Sequence, residues 1–343
     1  MTERYEHYFA LQCEHQKKYA RDLAALMGIG EAQLCEARIG RDAKALKTDF
    51  PALLAALEAV GETKNITRNE YAVHELVGKY ENQHLGEHAG LILNPRALDQ
   101  RLFPQQWHSA FFLQEMTARG EHQSIQIFDR HGDAVLKIYT THNTDVAAWD
   151  ALITQFTTAA HVALELIPAR SPQHSTTVDA STIEAEWRAM TDVHQFFGLL
   201  KRHNISRQQA FHAVADDLAW QVSNDSLAQL LNQAQQDGNE IMIFVGNRGC
   251  TQIFTGTVEK LMSKDNWVNI FTPSFTLHLM ADQISESWVT RKQGCDGFVT
   301  SFELFASDGT QIAQLYGQRS EGTPEQARWC EQLALLTTSG AVA

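Results

Sequence analysis

The sequence predicts an α+β fold built by tandem duplication, each half a large antiparallel β-sheet packed with helices. Three observations predict it. Two glycine-centred stretches recur 177 residues apart: Ile127-Phe128-Asp129-Arg130-His131-Gly132-Asp133, continuing to Tyr139, and Leu304-Phe305-Ala306-Ser307-Asp308-Gly309-Thr310, continuing to Tyr316. The register extends outward, pairing Asn69 with Asn247, Gly78 with Gly256, Pro95 with Pro273 and Trp149 with Trp329 at shifts of 178 to 180. A long internal period of this kind marks repetition of a whole structural unit. Within the second half the local signals run helices, then strands, then one helix. That order suits an antiparallel sheet with segregated helices better than alternating βα units.

The chain has 343 residues, enough for two cores, so residues 1–166 read as the first copy, 167–182 as a linker and 183–343 as the second copy. Ile167-Pro168-Ala169-Arg170-Ser171-Pro172 has the Pro and Ser content of a connection. In the second copy Ser181 with Glu184, Asp192 with Gln195 and Ser206 with Gln209 each have the spacing of a helix start. Asn204 suits a left-handed stop between the last two helices. Its counterpart in the first copy is Gly28, in Gly28-Ile29-Gly30. Strands are expected over 241–246, 251–257, 267–271, 275–280, 286–291, 297–306 and 310–317. The repeated glycines, Gly132 and Gly309, fall between alternating runs and read as hairpin turns that require positive φ. Thr323-Pro324 reads as the start of the closing helix, since Pro costs nothing in a first turn.

Composition narrows the function. With 28 basic and 41 acidic residues, the net charge of −13 disfavours nucleic acid and anionic membranes as partners. An anionic ligand must then meet a local cluster of Arg and Lys. Five cysteines, with no C-x-x-C pair, argue against a disulfide framework or a thiolate zinc site and for a reducing compartment. The first residues lack the apolar core of a signal peptide, and no apolar run is long enough to span a bilayer, so a cytoplasmic protein without membrane insertion is expected.

Two motifs are set aside. His84-Leu85-Gly86-Glu87-His88 matches an inverted zinc-peptidase pattern, but it sits among strand signals rather than on a helix, and the second copy offers no ligands there. Gly246-Asn247-Arg248-Gly249 has the look of a phosphate nest but reads as a plain strand connection.

The segment Met190 to His203 is the candidate site. On a helix Val193, Phe197 and Leu200 share a face, and His194 stands beside it near the helix start. There the helix dipole disfavours a protonated imidazole and favours the metal-binding form. Phe196 and Phe197 are placed to flank a flat apolar ligand. Taken singly, His194 also reads as a helix histidine bonded to a carbonyl, Arg101 as a surface ion-pair partner, Arg207 as a solvated first-turn residue and Lys292 as a hairpin-end cation.

These residues, with Asn94-Pro95-Arg96 through Phe103, Trp187 through Phe197, Ile243 through Cys250 and Phe275 through Met280, resemble the HemS/ChuS/ShuS family of bacterial hemin-degrading and hemin-transport proteins. The resemblance spans nearly the whole chain and includes the duplication. It implies heme as ligand and probable substrate, His194 as the axial iron ligand, and Arg101 on the opposite side of the iron as a catalytic residue. It also implies Arg207 and Lys292 near the propionates, with Phe244, Gln314 and Tyr316 lining the pocket. Because Arg101 and His194 fall in different copies, a cleft between the copies is expected. His74 and His278 stand as possible secondary heme contacts, though a core or hairpin role is the first expectation for each.

The chemistry agrees. A flat apolar ring with two carboxylates needs apolar walls and local cations, neutral imidazole suits ferric iron, and an arginine can donate hydrogen bonds to water, peroxide or dioxygen. The expectation is a heme-ring-opening enzyme that releases iron with an external electron donor. The alternative is a non-catalytic carrier taking heme from an inner-membrane importer, and a heme sensor is a third. Exposed strand edges leave room for a homodimer.

Overall fold

The structure is a computed structural model that describes residues 2–86, 88–117, 120–161, 163–320 and 322–336. The chain forms two compact units. The first holds residues 1–68, 74–170 and 246–252, and the second holds 69–73, 171–245 and 253–343.

In the first unit the main sheet runs, in spatial order, Ala43–Ala45, Trp107–Thr117, Gly120–Asp129, Ala134–Thr144, Gly61–Arg68 and Ala72–Lys79. A short meander, Gln83–Leu85, Gly90–Leu93 and Asp99–Leu102, is antiparallel throughout. Helices Thr2–Glu14, Ala20–Leu26, Glu31–Ala37, Phe50–Ala56 and Val146–Phe156 complete it.

The second unit repeats the plan with Ala219–Val222, Glu286–Gly294, Gly297–Phe305, Gln311–Gly317 and Ile241–Gly246, in that spatial order. Its short meander is Lys260–Lys264, Trp267–Phe271 and Phe275–Met280. Its helices are Ala180–Arg188, Gln195–His203, Arg207–His212, Ser226–Asp237 and Ala327–Ala334.

The duplication holds residue by residue in the strand register. Ser124 faces Tyr139 and Gln126 faces Lys137 in the first unit; Ser301 faces Tyr316 and Glu303 faces Gln314 in the second. Both pairs of strands slip register at the equivalent place, Ile127/Phe128 and Leu304/Phe305. The turns that follow carry Gly132 at φ +87° and Gly309 at φ +83°, a region that glycine enters without steric penalty. Trp149 and Trp329 are both buried on the last helix of their units.

The expected elements mostly recur, with differences that have local causes. Strands 241–246, 267–271 and 275–280 match. The strand expected to end at Arg291 continues to Gly294, because Lys292 and Gln293 pair with Val299 and Phe298 across the hairpin. Ser206 and Gln209 form the expected capping box, and Asn204 ends the preceding helix at φ 51°, ψ 45°. Ser181 lies inside its helix, since Asp179 accepts the backbone N–H of Thr182 and takes the cap. The closing helix begins at Ala327, after an irregular Thr323–Gln326 stretch, rather than at Pro324. No described helix is long and apolar enough to cross a membrane.

The helical layer of the second unit buries Ile183, Trp187, Phe196, Leu199 and Phe211 against Trp288 and Phe305 of the sheet. Trp187 and Phe196 meet edge-on with centroids 4.6 Å apart, and Phe196 stacks on Phe211 at 6.1 Å. Each such side chain contributes roughly 1.5–3 kcal/mol of burial. This aromatic layer is the floor on which the candidate site stands.

Candidate functional site

Strand alternation sets the site on one face of the second unit's sheet. Thr290 faces Ser301, which faces Tyr316, which is followed by Met242; Trp288 faces Glu303, then Gln314, then Phe244. Side chains two apart on a strand share a face. Lys292, Glu303, Gln314, Tyr316 and Phe244 therefore lie together, four of them sequence-predicted. Phe244 and Tyr316 are in edge contact at 5.1 Å, and Tyr316 donates to Gln314 Oε1 at 2.9 Å.

The helix Arg207–His212 brings Arg207 over this face. Its Nε and Nη2 each donate to Glu303 at 2.9 Å, and its guanidinium lies over Phe196 (5.1 Å) and Phe211 (5.9 Å). Lys292 Nζ donates to Thr290 Oγ1 and to Glu303 Oε1, the latter at 3.0 Å, and sits 4.8 Å from the Phe196 ring centroid. So Arg207 is not a solvated first-turn residue and Lys292 is not a free hairpin-end cation: only 5% of the Lys292 side chain is exposed.

Burial alone would raise the Glu303 carboxyl, but Arg207 and Lys292 together hold it down at about 2. Burial pushes the Lys292 ammonium down to about 8, with the like charge of Arg207, against the pull of Glu303. The ion pair draws both groups toward their charged forms. Only Glu303 is carried that way, because it faces two cations whereas Lys292 faces one carboxylate and a second cation in full burial. Tyr316 is raised, by burial first and Glu303 second, and stays neutral.

His194 caps the helix Gln195–His203, with φ −69° and ψ −20°. Asp192 Oδ1 accepts both the His194 backbone N–H and ring Nδ1, each at 2.7 Å. The backbone bond, then the ring, holds the Asp192 carboxyl below its ordinary value. An ionised carboxylate only accepts, so Nδ1 carries the proton, and in the neutral ring the lone pair is then on Nε2. The His194 side chain is 90% exposed, and Nε2 has no protein partner among the described residues. Fixing the tautomer through Nδ1 while Nε2 points outward is the arrangement that orients a metal-binding imidazole.

The expected pair of flanking phenylalanines is split. Phe196 is in the core, whereas Phe197, three residues after His194, is 72% exposed. The buried stripe of this helix is Phe196 with Leu199, with Leu200 packed part-buried at its edge and Phe197 outside it, because the helix starts after His194 and its rotation is set by Phe196 docking on Trp187.

Arg101 belongs to the first unit. It lies on the strand Asp99–Leu102 opposite Leu91, and its Nη1 donates to Asp99 at 3.0 Å. Burial raises the Asp99 carboxyl and Arg101 opposes that rise. About a third of the Arg101 side chain, 38%, stays exposed. His74 is fully buried, with Nδ1 2.9 Å from Gln252 Nε2, and His278 Nδ1 bonds Asn269 Oδ1 at 2.6 Å.

Both set-aside motifs have local explanations. Arg248 pairs with Asp129 and Asp133, and Asn247 Oδ1 turns the strand connection by accepting the N–H groups of Gly249 and Cys250. His84 is on a short strand and His88 in the turn after it, while Glu87 lies outside the described residues. No cluster of three or more His, Cys, Asp or Glu suited to a metal ion occurs among the described residues.

Sequence reasoning missed two residues. Glu303 occupies an inward position between Ser301 and Phe305, where an acidic residue on a buried strand face is itself the signal. Asp192 was read as a helix-start signal only, although its two-residue spacing from His194 also suits a side-chain-to-ring bond.

A duplicated α+β chain with an outward imidazole and a buried lysine beside a part-exposed arginine defines the class, and comparison supplies the family. The haemin-degrading HemS/ChuX domain matches twice, over residues 28–156 and 204–336, and the chain belongs to that family. It is 63% identical to the hemin transport protein HmuS of Yersinia pestis, covering 97% of this chain and 96% of that protein. Among solved structures, the heme-degrading enzyme ChuS of Escherichia coli O157:H7 superposes with a TM-score of 0.93 at 61% identity, covering 98% of this chain and 99% of that one. The heme-binding protein PhuS of Pseudomonas aeruginosa, in its holo form, gives 0.95 at 38% identity, with the same coverage.

Proposed function

We propose that this protein binds heme in the bacterial cytoplasm through His194 and opens the heme ring to release iron, drawing electrons from an external donor. The observation that carries the reading is His194 itself, an exposed imidazole whose Nδ1 is held by Asp192 and whose Nε2 is open. The residues fit the ligand: Phe197, three residues after His194, offers an exposed apolar surface, and the Arg207–Lys292 cluster supplies positive charge for the propionates in a chain of net charge −13. Gln314, Tyr316 and Phe244 share the sheet face with that cluster and line the ligand in this reading.

Arg101 is assigned to the side of the iron opposite His194 by its place in the family pattern. A guanidinium there cannot bind iron but donates hydrogen bonds to a small oxygen ligand. The five cysteines are all free, which agrees with a reducing compartment. An inner-membrane importer as donor of heme and a homodimeric state are parts of the same proposal.

The carrier reading has support of its own, since the HmuS relative and the HemS protein of Yersinia enterocolitica, 61% identical, are named hemin transport proteins. One experiment separates the two. The protein is loaded with one equivalent of hemin and reduced under air, with and without catalase, beside His194→Ala and Arg101→Ala. A defined open tetrapyrrole and free iron despite catalase, with Arg101→Ala still binding hemin but losing turnover, supports the enzyme. Heme loss that disappears with catalase supports the carrier. An unchanged hemin spectrum in His194→Ala refutes the iron-ligand assignment under both readings.

A further inference from the structure

Glu303 is the most completely engaged side chain of the second unit. Its carboxylate is fully buried. Oε1 accepts from Lys292 Nζ (3.0 Å), Ser301 Oγ (2.8 Å) and Arg207 Nη2 (2.9 Å), while Oε2 accepts from Arg207 Nε (2.9 Å) and Gln311 Nε2 (2.7 Å). With its acceptor sites used by the protein, it has nothing to offer a metal or a proton acceptor. What it does is fix Arg207. The guanidinium is held along its Nε/Nη2 edge by Glu303 and on its face by Phe196 and Phe211, while Nη1 has no protein partner among the described residues and the side chain is 24% exposed. Such a guanidinium is pre-organised for a second carboxylate, and little side-chain entropy is lost when one arrives.

A carboxylate that only clamped Arg207 would cancel its charge. Lys292 removes that cost: two cations against one carboxylate leave the cluster at +1. We propose that Glu303 is a positioning residue that presents Arg207 to a carboxylate-bearing ligand, and that Lys292 is the buried counter-charge that keeps Arg207 attractive to it. The proposal rests on the heme reading, since the propionates are the carboxylates concerned, and it divides the two cations by role. Arg207 makes the contact. Lys292, closed in by Trp187, Phe196, Phe211 and Thr290, acts through Glu303.

The test uses metal-free protoporphyrin IX, a dicarboxylate, and its dimethyl ester, which is uncharged at the same positions. Neither carries iron, so His194 ligation does not enter. Affinities of the full chain for both are measured by porphyrin fluorescence for wild type, Glu303→Gln and Lys292→Met. Wild type should prefer the dicarboxylate by about tenfold or more, the scale of one charge-assisted hydrogen bond. Both variants should lose most of that preference while keeping their affinity for the ester.

A pH series adds a readout that a merely structural role would not move. The groups facing Lys292 are Glu303 and Arg207, with neutral Tyr316 on the strand beyond that of Glu303. Glu303 stays ionised across the range, so the wild-type preference should decline from about pH 8 upward as Lys292 loses its proton. In Lys292→Met it should be flat from pH 7 to 9. Should Glu303→Gln fail to fold, Lys292→Met and the wild-type pH series still decide. A dicarboxylate preference that is absent in wild type, or unchanged in Lys292→Met and insensitive to pH, overturns the proposal. Failure of the full wild-type chain to bind hemin would instead overturn the heme reading, and that is measured separately.

Discussion

Removing the Asp192 carboxylate should weaken heme binding through His194 and through nothing else. Asp192 Oδ1 receives the His194 backbone N–H and ring Nδ1, each at 2.7 Å, so Asp192→Ala frees both the ring's rotation and its tautomer. Loss of a residue that orients a metal-binding histidine costs roughly 10- to 100-fold in affinity. Both partners are largely in water, with Asp192 about half exposed, and solvent screens the pair. The lower end therefore applies: about tenfold, or about 1.4 kcal/mol. Asp192→Asn keeps an oxygen acceptor and should lose less. The assay is a hemin titration followed in the Soret band, run as a double-mutant cycle with His194→Ala. A coupling close to the whole single-mutant effect is expected, because without the imidazole Asp192 has nothing to orient. An equal loss from Asp192→Ala in the His194→Ala background, or no loss in wild type, would refute the reasoning.

Three further outcomes follow from the same geometry. Trp187→Ala should destabilise the second unit by about 3–5 kcal/mol, since it removes a fully buried ring and leaves the Arg291 carbonyl without its 2.8 Å donor; thermal unfolding reads this, and Trp187→Phe should cost less. Asn204→Ala should lower stability by the roughly 1–2 kcal/mol that a left-handed residue costs, read as a fall in the urea midpoint, while Asn204→Gly should be close to neutral. Stability should fall on acidification from pH 4.5 toward 2, where the unfolded chain protonates Glu303 and the folded one does not; it should gain from pH 8 to 10.5, where the unfolded chain still holds a proton that folded Lys292 has released. Urea midpoints across pH should show the acid limb flattened in Glu303→Gln and the alkaline limb flattened in Lys292→Met.

What could be read from the sequence was whatever local chemistry dictates. The repeated hairpins were legible because Gly132 and Gly309 must supply positive φ between alternating runs, and the structure has them at +87° and +83°. The Ser206 cap and the Asn204 stop were legible for the same reason: a side chain or a backbone preference acts within four residues. The rotation of the helix after His194 was not legible. It depends on Phe196 docking against Trp187 and Phe211, contacts made only once three helices pack. The short strands Ala219–Val222 and Lys260–Lys264 and the helix Ser226–Asp237 were likewise set by neighbours that pattern alone does not reveal. Among site residues, Lys292, Gln314, Tyr316 and Phe244 came from the family pattern, and strand register then places them on one face. Glu303 went unnoticed because an acidic residue in a strand reads as solvated until the two cations that hold it are seen.

The duplication also explains why one half carries the cations. Strand register equates Lys292 with Glu115, Glu303 with Gln126 and Gln314 with Lys137, and the repeat equates Arg207 with Glu31. The first unit thus carries carboxylates where the second carries its two cations. Those carboxylates are answered from within: Lys137 pairs with Glu31, and Arg38 pairs with Glu115 and Asp42. Tyr8 of the first helix then lies under the Arg38 guanidinium, with its ring centroid 5.2 Å from that group. Three carboxylates against two cations leave that cluster at −1, where the second unit's stands at +1. The same sheet and the same register therefore present opposite fields to a propionate. A dianionic ring has an electrostatic reason to meet the second unit's cluster, rather than the first unit's, with its carboxylate edge.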